Sequence, residues 1–169
     1  MDTSTTKTSA ENKIAFHETI VIGAGVSGIC AAIKLREAKV DFIVLEKAQE
    51  VGGVWRENIY PDCACDVPSA LYSYSFAPNP NWSRVFASQE EIKAYTHDTV
   101  KRFAVDEHIH FNRALSKCEW QQADKCWQLE TSGETYPGRL LIWACRPMHL
   151  SPIPHLTCRP KSESNTRRK

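Results

Sequence analysis

Three glycines stand in G-x-G-x-x-G order as Gly23-Ala24-Gly25-Val26-Ser27-Gly28, and a carboxylate, Glu46, follows further along the chain. These residue types at this spacing can bind phosphate and sugar. Gly23 permits a tight turn, Gly25 places no side chain between a pyrophosphate and the backbone, and Gly28 lets a helix pack closely on a strand. The first turn of such a helix offers unpaired N–H groups and a positive dipole end to the phosphates. Glu46 can accept hydrogen bonds from both hydroxyls of an adenosine ribose. A 2′-phosphate there would meet a like charge, so NADP is expected to be rejected. Alone the triplet is a weak signal, because a non-binding turn can carry the same glycines, and it does not separate FAD from NAD.

A second group, Gly52-Gly53-Val54-Trp55, lies beyond Glu46. A glycine pair lets the chain pass close to a ligand, and an indole can pack on a flat ring. A simple NAD domain has no need of this second turn, although Trp55 could also merely fill core.

The elements that must hold these groups can be read from patterning. Glu18 to Ile22 is a β-branched run, Val26 to Ala38 carries Ile29, Ile33 and Leu35 with small residues between and reads as a helix, and Asp41 to Leu45 is a second apolar run. Strand, helix and strand in so short a span predict a βαβ unit with parallel strands. Gln89 to Phe103 is predicted helical, opened by a Ser88-x-x-Glu91 capping box. His110 to Trp120 and Cys126 to Thr131 alternate as a hairpin or meander would, and Arg139 to Ala144 is predicted to return to the parallel sheet.

Composition sets the frame. A chain of 169 residues is about one domain. Its 42 % hydrophobic and 24 % charged residues give the balance of a soluble globular protein and exclude wholesale disorder. Lys and Arg number 21 against 20 for Asp and Glu, so there is no whole-molecule field to hold nucleic acid or an anionic membrane. The run from Ile20 to Ile33 is broken by glycines and falls short of the ~20 residues a bilayer span needs. The polar leader lacks a basic region, so a cytoplasmic location is expected. The 7 cysteines lack the spacing of a zinc site, and no metal is expected.

The stretch from Trp55 through Tyr60-Pro61-Asp62-Cys63-Ala64-Cys65-Asp66 to Leu71-Tyr72-Ser73-Tyr74-Ser75-Phe76 is more specific. It resembles the class B flavoprotein monooxygenases, and among them the Baeyer–Villiger monooxygenases, whose members carry G-G-x-W, Y-P-G-x-x-C-D and Y-S-x-S-F. Trp82 and Phe86-Ala87-Ser88-Gln89 also look like the family's segment ahead of its helix. The resemblance implies a Rossmann-like α/β FAD-binding domain, a parallel sheet plus a β-meander, over residues 16–156. Residues 1–15 are then a disordered leader and 157–169 a basic disordered tail. It implies that Gly23, Gly25, Ser27, Gly28 and Glu46 hold the ADP half of FAD. Gly53, Val54, Trp55, Asp66 and Tyr72 would line the flavin half, with the backbone near Leu115 at the adenine. Asp66 would lie beside the flavin and orient a catalytic arginine; otherwise it is a loop aspartate bonding nearby backbone N–H groups. In the family NADPH reduces the flavin, and a C4a-peroxide of the reduced flavin oxygenates a ketone or a soft heteroatom.

The sequence also departs from the family. No glycine follows Gly138, so a second glycine fingerprint for NADPH is missing, as are the linker motif and the segment supplying the catalytic arginine. Arg146 stands where the family has glycine after its last strand, and Asp62 where it often has glycine. The FAD domain is therefore expected to be incomplete at its C-terminal end, with an uncovered apolar face, marginal stability and weak flavin binding. On these grounds the chain is expected to be inactive alone. The alternatives are a non-catalytic FAD module or remnant, completed by another polypeptide, and a different two-dinucleotide flavin oxidoreductase.

Overall fold

The computed structural model describes residues 15–145 and the backbone of Leu156–Thr157. The expectations for the leader up to residue 14, for Arg146 and for most of the tail lie outside the described residues.

Among the described residues, seven strands form one mixed sheet in the order β3-β2-β1-β6-β5-β4-β7. β1 (His17–Ile22) is flanked in parallel by β2 (Phe42–Leu45) and β6 (Thr135–Trp143), and β3 (Ile109–His110) extends the parallel part beyond β2. β4 (Leu115–Gln121), β5 (Cys126–Thr131) and the first half of β6 make the antiparallel meander, and the two-residue β7 (Leu156–Thr157) lies along β4. The helices are α1 (Val26–Glu37), the single turn α2 (Val54–Glu57) and α3 (Gln89–Arg102).

β1 and β2 are buried on both faces, which is why they read as unbroken apolar runs rather than as alternation. Val21, Phe42 and Val44 face the helical layer, with Ile29, Ala32 and Ile33 of α1 and Val100 of α3. Ile20, Ile22, Ile43 and Leu45 face the other way, against Cys118, Leu129 and Tyr136 of the meander. Both faces of β1 and β2 are thus covered, so the expected uncovered apolar surface does not lie on these two strands. Re-exposing those four aliphatic side chains would cost roughly 1.5–3 kcal/mol each, a sum comparable with a whole domain's stability. The meander is a structural layer, not an appendage.

What stays open is local. β6 begins earlier than its apolar run suggests because its first half belongs to the meander, and the strand changes partners at Gly138, which pairs with both Trp127 and His17. A Cβ on Gly138 would lie 2.6 Å from Ile20 Cδ1, so any larger residue at that junction would have to displace the Ile20 side chain. Beyond it β6 pairs only with β1 among the described residues, and Leu140 and Trp143 are exposed.

Two further expectations change in detail. The single alternating segment from His110 divides, because Ile109–His110 joins β2 while Leu115–Gln121 joins the meander. The capping box at α3 is half formed. The Glu91 N–H donates to Ser88 Oγ at 3.4 Å, but the Glu91 carboxylate accepts from the backbone N–H and hydroxyl of Ser83 instead of returning to Ser88.

Candidate functional site

The glycine triplet leaves β1 at Ile22 and enters α1, as its spacing requires. Gly23 sits at φ +96°, where a side chain would be strained. A Cβ on Gly28 would lie 1.8 Å from the Gly23 carbonyl oxygen, so no other residue lets α1 pack this closely on the turn. α1 has no side-chain N-cap and no acidic residue in its first turn. Its leading N–H groups and dipole end are therefore left for another acceptor. Ser27 lies exposed in that turn.

The second glycine turn packs directly on the first. Gly53, at φ +54°, would place a Cβ 3.0 Å from Gly25 Cα, and the Gly52 N–H donates to the Ala24 carbonyl at 3.0 Å. Two glycine backbones in contact define a cradle that any pair of side chains would fill.

Glu46 closes the end of β2, is only 3 % exposed, and is already engaged. Its Oε2 accepts from the Ala24 N–H at 2.7 Å, and its Oε1 accepts from the Ala48 N–H at 3.0 Å and from the Arg56 guanidinium at 3.2 Å. An ionised carboxylate offers about four acceptor positions, so among the described residues one remains rather than the pair expected for a ribose diol. The β3–β4 connection is stitched beside it, with the Glu46 N–H donating to the His110 carbonyl and the Arg113 N–H donating to the Glu46 carbonyl. Leu115, half-buried at the start of β4, lies just beyond that seam.

The aromatic group forms a separate wall. Trp55 Nε1–H donates to the Tyr72 hydroxyl at 2.7 Å, and the two rings meet edge to face. Both pack with Trp82 on Cys65, Ala87 and Ile92, and the Gln89 side-chain amide donates to the Trp55 carbonyl. Val54, half-buried, opens α2 immediately after Gly53. Asp66 lies exposed on the loop next to buried Cys65, close enough for its charge to act on Tyr60.

Sequence reasoning missed three supports. Arg56 binds Glu46, the Glu50 carbonyl and the Glu57 carboxylate together, and no spacing in the sequence signals it. Tyr74 donates its hydroxyl to the Val26 carbonyl at 2.7 Å, tying the Tyr72–Phe76 segment to the first turn of α1. Burial raises that phenol far above its usual range, so it remains a donor. Glu50 receives Lys93 at 2.6 Å and His97 at 3.4 Å from α3, and the Lys93 hydrogen bond holds its carboxyl below the usual range. At the other side, Cys145 Sγ–H donates to the Ile22 carbonyl at 3.3 Å and lies against Gly23.

Comparison with known proteins gives this geometry a lineage. A family model described as an NAD(P)-binding Rossmann-like domain matches residues 21–88. A Baeyer–Villiger monooxygenase of Streptomyces coelicolor is 43 % identical over 137 residues, covering 80 % of this chain and 26 % of the relative. The chain is a Baeyer–Villiger monooxygenase homologue. A second such enzyme, from Pseudomonas aeruginosa, is 41 % identical over 124 residues, covering 72 % of this chain and 24 % of that protein. Among solved structures, a steroid monooxygenase bound to NADP superposes with a TM-score of 0.75 at 34 % identity, over 79 % of this chain and 26 % of that one. OTEMO in complex with FAD and NADP gives 0.76 at 32 %, over 82 % and 27 %. The homology lies in the N-terminal FAD/NAD(P)-binding Rossmann-like region of these enzymes, and the chain spans about a quarter of its relatives' length.

Among the described residues no helix is long and apolar enough to cross a membrane. No group of three or more His, Cys, Asp or Glu among them could hold a metal ion.

Proposed function

We propose that this chain is the FAD-binding portion of a flavin-dependent monooxygenase of the Baeyer–Villiger type. The observation that carries the reading is the contact between the two glycine turns beside Glu46. It leaves a cradle without side chains, bounded by an uncapped helix end and a carboxylate with one open acceptor position. A dinucleotide has the complementary parts: a pyrophosphate for the N–H groups and a ribose for Glu46.

In this reading Gly23, Gly25, Ser27 and Gly28 hold the pyrophosphate, Glu46 holds the ribose, and the Leu115 backbone meets the adenine. Gly53 and Val54 pass under the flavin half while Trp55 and Tyr72 wall it. The hydrogen bond between Trp55 and Tyr72 fixes the ring planes before any ligand arrives, which lowers the cost of ordering them. Asp66 sits on the same loop, free to orient a cation near the flavin. Bound FAD would supply the redox chemistry, with NADPH as reductant and a ketone or soft heteroatom as the oxygenated group. The chain's own contribution is to bind, orient and screen that group from water.

Only Gly133 and Gly138 follow Gly53, so these 169 residues contain no second glycine fingerprint. The reading is therefore of a flavin holder that does not turn over NADPH unaided. The test is to purify the chain, saturate it with FAD, remove free ligand and record visible absorbance, then add NADPH under air with a cyclic ketone. Yellow protein that leaves NADPH intact is expected. Protein that stays colourless after reconstitution overturns the FAD assignment, and ketone-dependent loss of NADPH overturns the assignment of inactivity.

A further inference from the structure

The ribose end of the site carries two opposed charges, not one. Glu46 and Arg56 are nearly withdrawn from solvent, with side chains 5 % and 11 % exposed, and NH1 lies 3.2 Å from Oε1. Arg56 does not depend on Glu46 for its place. Its NH1 also donates to the Glu50 carbonyl at 2.6 Å and its NH2 to Glu57 at 2.8 Å, while Lys47 shares Glu57 at 3.1 Å. The guanidinium is thus a fixed cation beside the carboxylate that reads the sugar, and it would stay if that carboxylate lost its charge.

Resting on the FAD reading above, we propose that Arg56 is a specificity-determining residue of the ribose end, setting the choice between a 2′-hydroxyl and a 2′-phosphate jointly with Glu46. A lone carboxylate would repel a 2′-phosphate strongly in so dry a place. A guanidinium in contact with it cancels most of that field, and its fork matches phosphate oxygens. Glu46 makes the site prefer a free ribose; Arg56 limits how strongly. Neutralising Glu46 frees the Arg56 NH1 donor it held for a phosphate oxygen, while NH2 stays paired with Glu57.

The experiment compares ADP with adenosine 2′-phosphate 5′-diphosphate as competitors of FAD on the full chain, in wild type, Arg56→Gln, Glu46→Gln and the double variant. Wild type should favour ADP by less than about tenfold. Arg56→Gln should widen that ratio at least tenfold, Glu46→Gln should reverse it, and the double variant should show no preference. A ratio within twofold of wild type in Arg56→Gln overturns the proposal, as does an equal gain for the 2′-phosphate in Glu46→Gln with and without Arg56. If Arg56→Gln does not fold, Arg56→Lys keeps a cation and should hold the wild-type ratio. Glu46→Gln alone still decides, since failure to gain 2′-phosphate affinity contradicts the proposal. A wild-type chain that binds neither FAD nor ADP fails earlier and removes the FAD reading with it.

Discussion

The two ends of the candidate site are built on different principles. The end proposed for adenosine lies between strands buried on both faces, and its turns are locked by backbone contacts that only glycine allows. The end proposed for the flavin is a long connection with little regular structure. Ile59 and Leu71 are 81 % and 77 % exposed there, and Tyr60, Val67, Val85 and Phe86 also point outward. Apolar side chains at that density are unusual on a loop surface. The first end is buried and locked; the second holds its aromatic wall in place but offers its outer face to solvent.

That contrast can be broken at either end. The largest effect is expected from Gly28→Ala, whose Cβ would meet the Gly23 carbonyl; denaturant unfolding should show a loss of about 3 kcal/mol or more. Gly53→Ala should cost about 1–2 kcal/mol for its positive φ, and the clash with Gly25 should weaken FAD binding at least tenfold in a fluorescence titration. Acid should act next. Burial and the Arg113 charge hold His110 below its usual 6.5, while hydrogen bonds hold Glu50 and Glu134 below 4.5. In each case the unfolded chain binds more protons, so stability rises with pH. Melting temperature should therefore begin to fall as pH drops through 6.5 and fall further below 4.5. At the open end, Ile59→Ser and Leu71→Ser should leave stability within about 0.5 kcal/mol while reducing binding of a hydrophobic dye. A large destabilisation by either would erase the contrast. The smallest effect is expected at Asp62, held at φ +60°, where glycine should stabilise by about 0.5–1 kcal/mol.

The βαβ unit was legible because its signals are local. A β-branched run, a glycine triplet and a stretch of apolar residues interleaved with small ones each declare themselves within a few positions, and Asp62 fell in the turn geometry that the family's glycine suggests. The covering of the sheet by the meander was not legible, because it depends on pairing between β1 and β6 across most of the chain. Nor was the change of partner at Gly138, whose close contact with Ile20 appears only when the two strands are brought together. Arg56 escaped for the same reason. Its three acceptors come from the end of β2, the following loop and its own helix, and no spacing rule joins them. Glu46 was found by position, but its three existing donors were not, and they leave one acceptor position where two were expected.

The central claim is that the paired glycine turns and Glu46 bind the ADP half of FAD. Titrating FAD into the full chain while following flavin fluorescence, then adding ADP or FMN as competitor, tests it directly. Saturable one-to-one binding, reversed by ADP and indifferent to equimolar FMN, is the predicted result. Binding displaced by FMN but not by ADP, or no saturable binding at all, would contradict it.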